Sequence, residues 1–174
     1  MHDTRKLVNL ALLIAMGVAL HVAEGMLALP LPVPGVKLGV ADIVTLLALY
    51  RFGASAGMTV AVGRVLLGSL AGGLFLSPGF LLSLAGGAAS TAAMALMAPG
   101  AWRLWSPLAL SAAGAVAHGG AQLLALRGLH LLPSVDLSWL VPIVLAPALA
   151  AGIFTGLLGN LVLLRWQSYL RTAG

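Results

Sequence analysis

Long apolar segments, separated by short turns rich in glycine, proline or charge, occupy almost the whole of this 174-residue chain. Hydrophobic residues make up 61% of it and charged residues only 7%, whereas a soluble domain carries roughly 25% charged residues. Because a lipid bilayer offers backbone groups no water, apolar segments of this length span it as helices. The sequence therefore predicts an all-α integral membrane protein of the cell membrane, with one transmembrane domain over residues 1–174.

About six spanning helices are predicted. The second is short and crosses only part of the bilayer unless the loop before it dips into the membrane. The predicted segments are Leu7–Leu29, Lys37–Tyr50, Ala54–Leu76, Phe80–Met97, Ser106–Leu126 and Ser138–Trp166.

Basic residues are divided unevenly between the two sides of such a bundle. With an even number of crossings both termini share one side, and the other side holds only Lys37 and Arg127. Since cytoplasmic loops are enriched in lysine and arginine, both termini are predicted to be cytoplasmic. This bias also explains the formal charge of +5, so nucleic acid is not an expected partner. The basic residues on the terminal side are Arg5, Lys6, Arg51, Arg103, Arg165 and Arg171.

A proline-rich turn with charged residues behind it separates the first two helices. Pro30, Pro32 and Pro34 cannot continue a helix, because proline lacks an N–H and biases the preceding residue toward extended geometry. The next helix is predicted to begin near Lys37, with Asp42 close behind. A charge that faces lipid costs several kcal/mol, so these two side chains are expected to face protein or water.

Polar residues from several helices are predicted to converge in the outer half of the membrane. Alone, each has a structural explanation: Arg64, for example, could be neutralised by Glu24 or Asp42. Together they are better explained by a solute pocket that opens outward, because packing alone does not need so many charges. Their balanced charge suits a polar or zwitterionic solute, or an anionic group held by Lys37 and Arg64. The predicted solute-binding residues are Glu24, Lys37, Asp42, Arg64, His118 and Gln122, with His21 nearby.

Other chemistries are less well supported. A divalent metal held by His21, Glu24, Asp42 and His118 is an alternative, since imidazole and carboxylate suit such ions. No nucleophile with an adjacent base and no Asp-rich diphosphate–magnesium site is evident, so no enzyme activity and no cofactor are predicted. A separate stripe of small residues, Ala11, Ala15 and Ala19, has the four-residue spacing that allows close helix contact in lipid.

Several motifs resemble the Gx transporter family, also called heptaprenyl diphosphate synthase component I. They are the run Gly35–Leu47 with Glu24 and the prolines before it, Gly63–Gly68, Ser83–Gly87, and His118 with Gln122. That family is similar to the substrate-binding S components of energy-coupling factor (ECF) transporters.

The resemblance implies about six helices, cytoplasmic termini and an outward-facing solute site with Pro30–Gly35 as its lid. It also implies a membrane coupling subunit and a pair of cytoplasmic ATPases as partners, with the alanine stripe against the coupling subunit. The remaining alternatives are a membrane subunit of a polyprenyl diphosphate synthase, a scaffold for quinone or flavin electron transfer, and an S component for metal uptake.

Overall fold

A computed structural model describes residues 2–26, 37–97, 105–131 and 136–172, and within these ranges the chain is helical without any strand. Five of its helices are long and apolar enough to cross a membrane, which confirms the predicted all-helical membrane bundle. The helices are α1 (His2–Met26), α2 (Asp42–Phe52), α3 (Ala54–Ala71), α4 (Pro78–Met97), α5 (Pro107–Gly128) and α6 (Leu137–Thr172).

Most predicted boundaries agree closely with the observed helices. Three ends differ by more: α1 begins at His2 rather than Leu7, α2 begins at Asp42 rather than Lys37 because residues 37–41 are not helical, and α6 continues to Thr172 rather than ending at Trp166. The end of α3 differs as well. This helix was expected to continue to Leu76, but it ends at Ala71, where Gly72 and Gly73 interrupt the apolar sequence. Glycine is the residue that most often ends a helix, because it adopts the conformations that a terminating turn requires. Apolar character alone therefore overestimated the length of this span.

The short helix α2 lies in the centre of the bundle. It has 11 residues, of which eight are buried, and it packs against α1, α3, α4, α5 and α6. At about 1.5 Å per residue, a helix of this length crosses only about half of the hydrocarbon core. The second crossing therefore has to be completed by the chain that precedes α2.

Residues 37–41 continue from the start of α2 as a non-helical segment inside the bundle. Lys37 contacts His21 and Gln122, which lie more than one turn before the ends of α1 and α5. Non-helical backbone at membrane depth is tolerated only where its polar groups are satisfied within the protein or by a water-filled cavity. Here the N–H groups of Lys37, Gly39 and Val40 all donate to side-chain oxygens. The segment directly before α2 thus lies inside the bundle, whereas the proline-rich loop that was expected to dip into the membrane lies outside the described residues.

Close contacts at glycines give the relative directions of the helices. Gly63 meets Ile14 and Gly68 meets His21, so α3 runs parallel to α1. The helices α3, α4, α5 and α6 then alternate in direction, which places the first residue of α1 and the last of α6 at the same end of the bundle. We call this the terminal end. For α3 and α4 the direction follows from the short connection between Ala71 and Pro78. The pairs that fix the later directions are Gly86–His118 with Gly114–Ser90, and Gly152–Ala115 with Gly156–Leu108.

Replacing Gly152 by alanine is expected to lower the free energy of unfolding by about 1–3 kcal/mol, the usual range for overpacking. A Cβ at this position would lie 2.5 Å from the Cβ of Ala115 and 3.0 Å from the backbone oxygen of Ser111, so α5 and α6 would have to separate. Gly120 of α5 is the matched control, since a Cβ there meets nothing within 4 Å.

Gly120→Ala should leave stability unchanged or raise it by up to about 1 kcal/mol, because alanine favours the helix over glycine. Thermal and chemical unfolding in detergent measure both variants. Equal effects of the two substitutions would show that α5 and α6 do not pack as closely as described.

Candidate functional site

An ion pair lies at the centre of the bundle, where α2 begins. Arg64 of α3 donates from Nη2 to Oδ1 of Asp42, and from Nε to the Thr45 hydroxyl at 3.4 Å. The other carboxylate oxygen, Oδ2, is 3.0 Å from Nδ1 of His118 on α5. Arg64 is only 1% exposed and Asp42 only 6% exposed. We call this group, Asp42, Thr45, Arg64 and His118, the Asp42 layer.

A second polar group lies about one helical turn farther from the terminal end. The Lys37 ammonium is 2.9 Å from Nε2 of His21 and also donates to the His21 carbonyl at 3.3 Å. Oε1 of Glu24 accepts from the backbone N–H groups of Gly39, at 2.7 Å, and Val40, at 3.4 Å. We call His21, Glu24, Lys37 and Gln122 the Glu24 layer.

Gln122 is hydrogen-bonded to residues of both layers. Its contacts determine which atom donates and which accepts in each hydrogen bond that links the layers. The Lys37 backbone N–H can only donate, so it is the Oε1 atom of Gln122 that accepts at 3.3 Å. The Gln122 amide nitrogen then donates to Nε2 of His118 at 2.9 Å. His118 must accept there, so its proton is on Nδ1 and is donated to Asp42. The imidazole is therefore neutral, and the Asp42 layer is balanced by Arg64 alone.

Glu24 and Lys37 are buried ions of opposite charge that do not pair with each other. They are 6% and 8% exposed, and the ion pairs found in the described parts of the chain involve Asp42, not these two residues. Within the described residues, the side chains of Glu24 and Lys37 form hydrogen bonds only with neutral groups. These are the imidazole and carbonyl of His21 and the backbone N–H groups of Gly39 and Val40.

Helix α4 presents a face of small residues to the Asp42 layer. A Cβ at Gly86 would lie 2.7 Å from two atoms of the His118 ring, so only glycine fits there without movement. The hydroxyls of Ser83 and Ser90 on the same face are buried and have no hydrogen-bond partner among the residues that the structure describes. Ser90 lies close to the Asp42 carboxylate without reaching hydrogen-bond geometry. Buried hydroxyls without partners are uncommon and call for an explanation.

The structure brings all six predicted solute-binding residues together. Of the two acids considered as partners of Arg64, Asp42 forms the ion pair, whereas Glu24 holds the backbone of Gly39 and Val40. Sequence reasoning did not include Ser83, Ser90 or Thr45 among the predicted solute-binding residues. The spacing of Ser83, Gly86, Gly87 and Ser90 along one face of α4 was the signal available for the serines.

The structure does not assemble the alternative metal site. Within the described ranges, no group of three or more histidine, cysteine, aspartate or glutamate side chains could hold a metal ion. His21 and Glu24 belong to one layer, and Asp42 and His118 to the other. Both ring nitrogens of His118 are already engaged, by Asp42 and Gln122.

The alanine stripe of α1 faces away from the bundle. Ala11, Ala15 and Ala19 are exposed, whereas Leu13 and Gly17 of the same helix are buried. The stripe is therefore available to a neighbour in the membrane. The Pro30–Gly35 loop, expected to be a lid, lies outside the described residues.

Comparison with known families completes this description. The profile of the heptaprenyl diphosphate synthase component I family matches residues 13–162. The chain belongs to this family. Its match begins within α1 and ends within α6, so every residue of the Asp42 and Glu24 layers lies inside it. No curated protein and no solved structure gives a significant match.

Proposed function

We propose that the protein is the solute-binding membrane subunit, or S component, of an ECF-type importer for a small organic solute. The observation that carries this proposal is the segment 37–41, which enters the bundle as non-helical backbone and leads into the buried start of α2, close to the charged groups of Glu24, Asp42 and Arg64. Broken helices that begin near the middle of the membrane, next to unwound backbone, are typical of solute sites in transporters.

A structural role alone explains the polar groups poorly. Taking an ion out of water costs several kcal/mol, and well-packed apolar side chains often stabilise a protein as well as a buried ion pair does. This bundle nevertheless buries Glu24, Lys37, Asp42 and Arg64 within a few turns of one another. Ionisable residues within a membrane are functional by default, and they mark solute or ion pathways.

The energy for import would come from separate subunits. The exposed stripe Ala11, Ala15 and Ala19 has the small side chains that let another membrane helix approach closely, so we assign it to the coupling subunit. The terminal end, where Arg5, Lys6 and Arg51 lie, would face the cytoplasm and its ATPases. Solute would then reach the Glu24 layer from the opposite side.

The family's name supports a second candidate, a membrane subunit of a polyprenyl diphosphate synthase. The whole chain has four acidic residues, and two of them, Glu24 and Asp42, are engaged in the layers described above. A diphosphate–magnesium site needs carboxylates that are free to bind the metal. In this second candidate the catalytic residues would therefore belong to a partner protein, and elongation activity would appear only when that partner is added.

Affinity purification from the native membrane in a mild detergent tests the proposed assembly. We expect a second membrane protein and ATPase subunits to accompany the chain. Ala15→Leu should reduce their recovery, because a larger side chain prevents close helix approach. Ala92→Leu, at an exposed position of α4, is the matched control and should not. A prenyl-elongating enzyme in place of ATPases would contradict the proposal and support the second candidate.

A further inference from the structure

We propose that the solute is a zwitterion, whose cationic group binds Glu24 and whose anionic group binds Lys37. The Asp42 layer would support the site without touching the solute's charges. This inference rests on the proposed function, which it deepens by assigning the solute's charge and the two residues that recognise it.

The two layers differ in how their charges are satisfied. In the Asp42 layer the carboxylate of Asp42 is bound directly by the guanidinium of Arg64, and His118 occupies the second carboxylate oxygen. In the Glu24 layer neither Glu24 nor Lys37 has an ionic partner within the described residues. A buried charge gains most from an opposite charge. The buried charges of the Asp42 layer are therefore already stabilised by an ion pair, whereas those of the Glu24 layer are not.

Both ions of the Glu24 layer keep a bonding position for a solute. An ammonium has three N–H donors. Within the described residues, the Lys37 ammonium donates two of them, one to Nε2 and one to the carbonyl oxygen of His21. The hydrogen bonds of Glu24 all end on Oε1, which leaves its Oε2 atom without one in the part of the chain that is described. One donor and one acceptor of opposite charge are thus available within the Glu24 layer.

Charge balance selects the zwitterion among small solutes. Glu24 and Lys37 together carry no net charge, so a zwitterion leaves the layer neutral when it binds. A monoanion would leave one negative charge uncompensated inside the bundle, and a monocation one positive charge. An uncompensated charge at membrane depth is costly, so either ion should bind more weakly than a zwitterion of the same length.

The unpartnered hydroxyl of Ser83 is an independent sign of a ligand in this layer. Ser83 is 3% exposed and lies about one turn from Gly86, which packs on the His118 ring, in the direction of the Glu24 layer. A solute bound between Glu24 and Lys37 would offer this hydroxyl the hydrogen bond that the described residues do not supply.

Binding of simple zwitterions to the purified full-length protein tests the inference. The probes are the ω-amino acids from glycine to 6-aminohexanoate, with the carboxylates and amines of the same chain lengths as controls. We expect at least one ω-amino acid to raise the unfolding temperature and to bind about tenfold or more tightly than its matched carboxylate and amine.

Conservative substitutions at Glu24 and Lys37 test whether these side chains bind the solute while the fold is kept. Glu24→Gln keeps an oxygen that can accept from Gly39 and Val40, and Lys37→Met keeps the length of the side chain. Each should lower the affinity for the selected ω-amino acid about tenfold or more. Arg127→Met, which removes an exposed charge at the end of α5, should leave that affinity unchanged.

The outcomes distinguish this inference from the proposed function. Equal binding of a carboxylate and its ω-amino acid, or a retained native solute that is a simple anion, would overturn the zwitterion assignment and leave the importer intact. Failure of every ω-amino acid to bind would overturn the assignment as well. The importer itself would fail if no ATPase subunits accompany the protein from its membrane and a prenyl-elongating enzyme is found in their place.

Discussion

Replacement of Arg64 by methionine is expected to lower the free energy of unfolding by about 3–5 kcal/mol, the largest effect of any single substitution considered. Arg64 is 1% exposed, and it supplies the charge that balances Asp42 at the buried start of α2. Without it, the carboxylate would remain inside the bundle next to a neutral imidazole. Breaking a buried pair by removing one partner is costly because the other charge is left uncompensated.

Two further variants make this expectation specific to the ion pair. Asp42→Asn in the Arg64→Met background should restore part of the lost stability, because the uncompensated charge is gone. Arg127→Met removes an exposed arginine and should change stability by no more than about 0.5 kcal/mol. Unfolding in detergent measures all three. If Asp42→Asn brings no recovery, the Arg64–Asp42 pair does not stabilise the fold in the way described.

Gly39→Ala is expected to cost about 1–2 kcal/mol for its backbone conformation and about 1–3 kcal/mol more for crowding. Gly39 has a φ of +80°, which side-chain-bearing residues rarely adopt. Its Cβ would lie 3.1 Å from Oδ2 of Asp42 and 3.2 Å from Nδ1 of His118, between two atoms that are hydrogen-bonded to each other. The substitution should therefore displace segment 37–41 and weaken solute binding as well as stability.

Gly73→Ala is the matched control for this effect. Gly73 also has a positive φ, +67°, but a Cβ there meets nothing within 4 Å. Gly73→Ala should lower stability only by the amount that its backbone conformation costs, and it should leave solute binding unchanged. Unfolding curves and binding of the same solute, measured on both variants, separate the two costs. Equal losses of stability and binding would contradict the close approach of Gly39 to Asp42 and His118.

The helices could be predicted from the sequence because each is an apolar segment closed by a recognisable signal. The prolines at 30, 32 and 34 forced a break before α2, and the short distance from Lys37 to Gly53 showed that α2 could not span the bilayer alone. The path of segment 37–41 depends instead on Glu24 and Gln122, which contact it from distant parts of the chain.

The pairing within the site could not be predicted in the same way. Glu24 and Asp42 are both acids expected near Arg64, and the choice between them depends on how α1, α2 and α3 pack. Gly17 brings α1 close to Arg64, yet Glu24 lies two turns farther along that helix and holds the backbone of segment 37–41 instead. The two unpartnered serines look like ordinary packing residues in sequence, because an unfilled hydrogen bond becomes visible only once the neighbours are known.

Native mass spectrometry of the protein, extracted gently from its own membrane, tests directly whether the chain binds a small solute at the Glu24 layer. We predict a retained small molecule in the wild-type protein that is absent from folded Lys37→Met and still present in Arg127→Met. A wild-type protein that carries no small molecule and is bound instead to a prenyltransferase would contradict the assignment of a solute site to the Glu24 layer.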